Sequence, residues 1–292
     1  MKKEAKWSDW LELTKPRITL LVLATTGPAY LLASSLSERS TPLIGWTLLG
    51  TALASGSSSV LNNLADRKRD ALMDRTKDRP LASGRISPGA AWVWGLFLGF
   101  LGMGILGMMT TPLAALLAGG AILYYWGLYT MWLKRTTPHC TVLGGVAGAI
   151  GPLIGWAAAT GEIGTPAWAL FLLLVIWQPG HFWVFSLLAK EDYKKAGFPM
   201  LPVVSGEKTT KRAIVIYGVL FFLGGVTYPL VSGANTGSIY GLAAWIAGGY
   251  YLWKTVRFAQ QSVTKERALR LFGTSVTTLF LLFGALTFEG IT

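Results

Sequence analysis

Runs of about twenty apolar residues recur along this chain, and they restrict its fold more than any other property. A helix of that length crosses the ~30 Å hydrocarbon core of a bilayer while satisfying its own backbone hydrogen bonds. About nine such spans can be counted, at roughly 17–36, 42–62, 90–110, 112–132, 142–160, 166–189, 213–232, 238–254 and 271–288. The fifth is rich in glycine, and the sixth is long and interrupted by Pro179-Gly180. With 52% hydrophobic and only 14% charged residues, the 292-residue chain is too apolar for an ordinary soluble domain. The expectation is an all-α polytopic membrane protein with about nine transmembrane helices, forming a single domain over residues 1–292.

The basic residues give that bundle an orientation. Lys2, Lys3, Lys6, Lys15 and Arg17 precede or open the first span; Arg67, Lys68, Arg69, Arg75, Lys77, Arg79 and Arg85 follow the second. Lys134 and Arg135 follow the fourth, a cluster from Lys190 to Arg212 follows the sixth, and Lys254 to Arg270 follow the eighth. Of 26 Lys and Arg, only Arg39 falls on the other side, which predicts a cytoplasmic N-terminus. The net charge of +12 is therefore a topology signal, and nucleic acid is not an expected partner. The two longest polar connections, about 62–88 and 190–212, share the cytoplasmic side, whereas the opposite side has short turns such as 160–164 and 232–235. Chemistry is expected at the cytoplasmic face. Neither a cleavable signal peptide nor an Arg/Ser-rich transit peptide is evident, so the expected location is a bacterial plasma membrane.

In the first connection Asn62, Asp66, Asp70, Asp74 and Asp78 recur every four residues, one drifting stripe if the helix continues. Like charges at that spacing cost a helix roughly 0.2–0.5 kcal/mol per pair, so stability alone does not ask for them. A divalent cation reverses the sign of the cost, and Mg²⁺ commonly takes one or two carboxylates plus phosphate oxygens from a substrate. Asn62, near membrane depth, completes a ligand set with Asp66 and Asp70; the alternative is a solvated interfacial helix of mixed charge. Arg75 and Arg79, one turn apart, are placed to hold phosphate oxygens, unless they are ordinary positive-inside residues. Pro80 is expected to end the helix.

The second connection is less metal-like. Asp192 reads as a second or water-bridged ligand, or as a capping or solvated aspartate, and Lys190 and Lys194 could neutralise phosphate. His181 lies inside an apolar span beside Pro179-Gly180, where ionisable groups usually mark a cavity; it reads as a ligand or substrate contact, or as a hydrogen-bonded packing residue. Cys140 is the single cysteine, so no intramolecular disulfide and no cysteine metal site is available.

The run Asn62-Asn63-Leu64-Ala65-Asp66-Arg67-Lys68-Arg69-Asp70 resembles the first Asp-rich motif of the UbiA superfamily of intramembrane prenyltransferases, with Asn63 where that motif usually has Asp. Four segments resemble its heme-prenylating branch: Leu13-Thr14-Lys15-Pro16-Arg17; Met73 to Gly84 with Arg75-Thr76 and Arg79-Pro80-Leu81; Lys134-Arg135-Thr136 with Gly144-Gly145 and Gly148-Ala149; and Trp177-Gln178 with His181-Phe182 and Asp192-Tyr193 to Pro202. The resemblance runs from about residue 11 to the C-terminus. It departs at Gly151 and Gly180, where Pro is expected, and at Cys140, where Asn is expected.

The resemblance implies a UbiA-like bundle around a central cavity capped by the two loops. It implies Mg²⁺ held by Asn62, Asp66 and Asp70, with Asp192 contributing from the second loop. Farnesyl diphosphate would be the donor, its diphosphate contacted by Arg17, Arg75, Arg79, Tyr129, Lys134 and Lys190. The acceptor would be a vinyl group of heme b, with His181 against the heme. Heme b, farnesyl diphosphate and membrane lipid are then the partners, with a heme A synthase or a cytochrome oxidase assembly factor as a further expectation. Two alternatives are open: a prenyltransferase acting on a quinone precursor or other lipid-like acceptor, and a non-enzymatic heme or phospho-ligand carrier. A carrier predicts charges spread through the spans, whereas here they cluster at one face.

Overall fold

A computed structural model describes residues 5–35, 43–232 and 237–291. Arg39, Lys2, Lys3 and most of the 232–235 turn, on which part of the topology reading rests, lie outside them. The described chain is helical, without a strand: α1 (Trp7–Leu13), α2 (Pro16–Ser35), α3 (Leu43–Asp70), α4 (Pro88–Met109), α5 (Pro112–Leu123), α6 (Lys134–Thr136), α7 (Cys140–Gly148) and α8 (Gly151–Thr160). There follow α9 (Thr165–Leu188), α10 (Lys190–Lys195), α11 (Leu201–Val204), α12 (Gly206–Ser232), α13 (Ser238–Ala243), α14 (Gly249–Ala259) and α15 (Lys265–Ile291). Two stretches of π-helix, Tyr124–Leu133 and Ala244–Gly248, join α5 to α6 and α13 to α14.

Seven described helical segments are long and apolar enough to cross a bilayer, and they coincide with seven of the nine expected spans. The other two expected spans, 42–62 and 238–254, are helical but less apolar. For α3 the reason is local: Thr51, Ser55, Ser58 and Ser59 turn toward a cavity inside the bundle, so its inward face is not greasy. Around the waist the apolar side chains point outward, with Phe100 68% and Met108 86% exposed, the pattern of a surface that meets lipid rather than water.

Packing depends on small residues. A Cβ at Gly102 of α4 would lie 2.7 Å from the Gly50 carbonyl of α3, so the two backbones approach as only glycine allows. Ser57 of α3 adds a hydroxyl hydrogen bond of 2.7 Å to the Gly95 carbonyl of α4. At the loop face α1 carries an exposed Trp7, while its Asp9 is buried and pairs with Arg85 at 3.0 Å. The Lys6 backbone N–H and then the Arg85 guanidinium hold that carboxyl below its ordinary range.

Three expectations about local structure are corrected. The helix bearing the acidic stripe ends at Asp70 and not at Pro80, because the Thr76 hydroxyl caps the Asp70 carbonyl at 2.8 Å and the chain turns. Asp74 therefore leaves the stripe and forms exposed pairs with Lys77 and Lys195, each at 3.0 Å, and Arg75 and Arg79 do not share a helix face. Pro179 does not break α9, which is continuous through it; prolines are tolerated within membrane helices because neighbouring groups or small local adjustments can take over the freed backbone group. The interruption falls instead in the fifth span, between α7 and α8.

Candidate active site

Asn62, Asp66 and Asp70 occupy successive turns of the last part of α3, and all three are buried. The Asn62 amide donates to Asp66 Oδ2 and to the Thr130 hydroxyl, both at 3.1 Å, while its oxygen accepts from Lys15 Nζ at 2.7 Å. Lys134 Nζ donates to Asp66 Oδ2, and Arg79 Nη1 donates to Asp70 Oδ2 at 2.9 Å. Arg135 hydrogen-bonds the Ala65 carbonyl at 3.1 Å and lies 3.9 Å from Asp66 Oδ1. That oxygen is buried and has no hydrogen-bond partner.

Long-range folding brings the cations to the stripe. Lys134 arrives at the end of the π-helix, an irregular turn type frequent at functional sites. Lys15 stands between α1 and α2 with φ of +50°, a left-handed conformation that costs a lysine roughly 1–2 kcal/mol. Pro16 behind it disfavours ordinary helical geometry, and the turn swings the side chain inward. Burial, together with the Arg79 and Lys134 charges, pushes the Lys15 ammonium down to about 7, with Asp66 and Asp70 pulling the other way.

The other expected residues distribute unevenly. Arg17 is exposed on α2, and the cation of that segment that meets the stripe is Lys15. Arg75 is exposed, its guanidinium 5.0 Å above the Phe185 ring. Tyr129 stacks on Tyr125 at 5.2 Å within the π-helix, directly before Thr130, and both rings wall the cavity. Lys190 opens α10, half-buried. Asp192 accepts backbone N–H groups of Asp74 at 3.2 Å and Arg75 at 3.4 Å, so its carboxylate ties the second loop to the first. Asn63 faces away from the stripe, its amide donating to the Leu13 and Ser59 carbonyls at 3.1 and 3.0 Å. An aspartate could not make those two bonds, which accounts for an amide there.

Behind the stripe lies a cavity of about 340 Å³. Ser58 and Ser59, one turn before Asn62, line its near end, and apolar or small residues of α2, α5, α7, α8 and α9 line the rest. His181 opens onto it, sandwiched between Trp177 and Phe272 with ring centroids 4.4 and 4.1 Å away. Its Nδ1 is 2.6 Å from the Ser275 hydroxyl, which fixes the ring plane.

The donor set suits Mg²⁺. Two carboxylates and an amide oxygen are hard ligands, and one buried carboxylate oxygen lacks a hydrogen-bond donor. Among the described residues no three acidic, histidine or cysteine side chains converge. Such a set is too small for an all-protein cage and matches a cation that shares its shell with phosphate oxygens.

Residues 20–284 match the model of the UbiA prenyltransferase family. The chain is 43% identical over 280 residues to a protoheme IX farnesyltransferase of Synechococcus sp. (strain JA-3-3Ab), covering 95% of this chain and 83% of that one. It is 42% identical over 288 residues to a protoheme IX farnesyltransferase of Gloeobacter violaceus, covering 98% and 93%. Its fold is similar to that of a UbiA homolog from Archaeoglobus fulgidus bound to DMAPP and Mg²⁺, with a TM-score of 0.70 at 17% identity over 96% of this chain and 99% of that one.

Proposed function

The chain belongs to the UbiA prenyltransferase family, and we propose that it transfers a farnesyl group from farnesyl diphosphate to a vinyl group of heme b, releasing diphosphate and giving heme O. The observation that carries this reading is the juxtaposition of a cation-rimmed acidic stripe with an apolar cavity one helical turn away. One end of the site suits a diphosphate and the other an isoprenoid. The heme acceptor is brought by the likeness to protoheme IX farnesyltransferases over nearly the whole chain.

Asn62, Asp66 and Asp70 are the residues that would hold Mg²⁺, and a protein of similar fold bound to DMAPP and Mg²⁺ supports a Mg²⁺ requirement. The chemistry a bound Mg²⁺ supplies is neutralisation of charge on the leaving diphosphate. Lys15, Arg79 and Lys134 hold the diphosphate oxygens from the protein side, with Arg75, Tyr129, Lys190 and Arg17 farther out. Preorganised donors of this kind usually accelerate a reaction more than any other single effect. As the allylic C–O bond breaks, the stacked Tyr125 and Tyr129 rings face the farnesyl cation and shield it from water. The vinyl group attacks that cation through its terminal carbon, and water adds at the adjacent carbon, losing a proton to the released diphosphate, to give a hydroxyethylfarnesyl side chain. His181, held by Ser275, positions the heme. Asp192 keeps the two loops closed over the donor, and as the second-loop carboxylate it would serve as a water-bridged ligand to the metal. The loops face the cytoplasm, and the membrane is the plasma membrane.

A mass-spectrometric assay on detergent-purified protein with heme b, farnesyl diphosphate and Mg²⁺, controlled with EDTA, tests this directly. The expected product is a hydroxyethylfarnesyl heme formed only with Mg²⁺. Diphosphate release without a heme product would retain the prenyltransferase and replace the acceptor. No release from folded protein would remove the enzymatic reading.

A further inference from the structure

Three cations around the stripe rest on aromatic rings supplied by α9 and the second loop. Arg75 stands 5.0 Å from the Phe185 ring centroid, Arg69 4.9 Å from that of Phe198, and Lys134 4.5 Å from the same Phe198 ring. Phe198 is 1% exposed, and its own loop holds it firmly. Gly197 before it adopts φ of +67°, the Phe198 backbone N–H donates to the Tyr193 carbonyl at 2.9 Å, and the Tyr193 ring meets the Phe198 ring edge-on at 6.2 Å. The cations come from elsewhere: Arg69 from α3, between Asp66 and Asp70 in sequence, and Lys134 from the end of the π-helix. One ring of the second loop thus supports charges from two other elements.

The choice of an aromatic ring has a chemical consequence. A carboxylate in that position would fix the cations but cancel their charge. A ring face attracts a cation through its quadrupole and carries no formal charge, so Phe198 adds no counter-charge to Arg69 or to Lys134, which already gives one N–H to Asp66. Arg69 shows the result: its Nη1 is buried and has no hydrogen-bond partner, a costly arrangement unless an acceptor arrives. We propose that Phe198 is a positioning residue that presents Lys134 and Arg69 together to the diphosphate, and that Arg69 is a further diphosphate contact. The inference rests on the diphosphate reading above and extends it to two residues that the acidic motif does not single out.

The test is calorimetric binding of farnesyl thiodiphosphate, a slowly ionising donor analogue, to the purified full chain in Mg²⁺. It is paired with separate KM values for farnesyl diphosphate and heme. Wild type is measured first, and failure to bind would overturn the diphosphate reading and this inference with it. Given binding, Phe198→Leu is expected to weaken the analogue roughly tenfold, within the range of a desolvated cation–π contact, and to raise the KM for farnesyl diphosphate while leaving that for heme unchanged. Phe198→Tyr keeps a ring and is expected to stay within about twofold of wild type. Arg69→Gln is expected to weaken binding by a similar factor to Phe198→Leu. Unchanged affinity in Phe198→Leu, or equal losses in the Leu and Tyr variants, would overturn the proposal. Should Phe198→Leu not fold, Arg69→Gln decides: a several-fold loss of analogue affinity with the KM for heme unchanged supports the proposal, and unchanged affinity overturns it.

Discussion

At Asp66 and Asp70 two carboxylates face four basic side chains: Lys134, Arg79, Arg135 at 3.9 Å from Asp66 Oδ1, and Lys15 through Asn62. The cluster is net positive before any metal binds, which suits a polyanionic leaving group better than a free carboxylate pair would. Asp66→Ala or Asp70→Ala removes a proposed metal ligand and also leaves Lys134 or Arg79 without its partner. Turnover should fall by at least about a hundredfold, the scale seen when a charge-stabilising group is lost, while membrane insertion stays intact. Near-normal activity in both variants, measured by product mass spectrometry, would remove the metal assignment. His181 acts at the other end of the cavity. His181→Ala should raise the KM for heme several-fold and leave binding of the prenyl diphosphate analogue within about twofold, since the ring touches Trp177, Phe272 and Ser275 and none of the stripe. Equal loss of both would point to collapse of the cavity.

Among the elements, the two connecting loops behave as one cap. Asp192 receives two backbone N–H groups of the first loop, Lys195 pairs with Asp74, and Phe185 and Phe198 receive cations from the stripe's side. Asp192→Asn keeps the shape but halves the accepting capacity and removes the charge. We expect a several-fold rise in KM for farnesyl diphosphate and faster proteolysis between residues 71 and 87, read by timed digestion. An unaltered digestion rate would show the clamp to be dispensable. Local pattern makes part of this cap legible: Asn62, Asp66 and Asp70 stand out because their period matches a helix and their charges oppose its stability. The end of α3 does not, since it depends on Thr76 reaching back six residues. Sequence pattern favours Arg17 over Lys15, yet one left-handed residue decides which of the two turns inward. Phe198 reads as an ordinary apolar anchor, and only the folded loop reveals the two cations that rest on its ring.

For the whole molecule, the bundle is readable from apolar runs because each span must satisfy its own backbone in lipid. The least apolar spans include the one that turns a polar face inward, a distinction that requires knowing where the cavity is. Sidedness has a direct test, helped by burial of the native Cys140. An impermeant maleimide should label Lys194→Cys only in inverted vesicles and Glu162→Cys only in right-side-out ones. The reverse result would invert the topology.

The hydroxyl- and amide-rich face of α3 also bears on biogenesis. A 28-residue helix that carries Ser55, Ser58, Ser59 and Asn62 partitions poorly into lipid by itself. Its close seam with the far greasier α4, sealed at Gly50 and Gly102, gives it a companion that follows it in the chain. That seam predicts that integration of α3 waits for synthesis of α4, so a chain truncated before α4 should insert α3 poorly in a glycosylation-mapping assay.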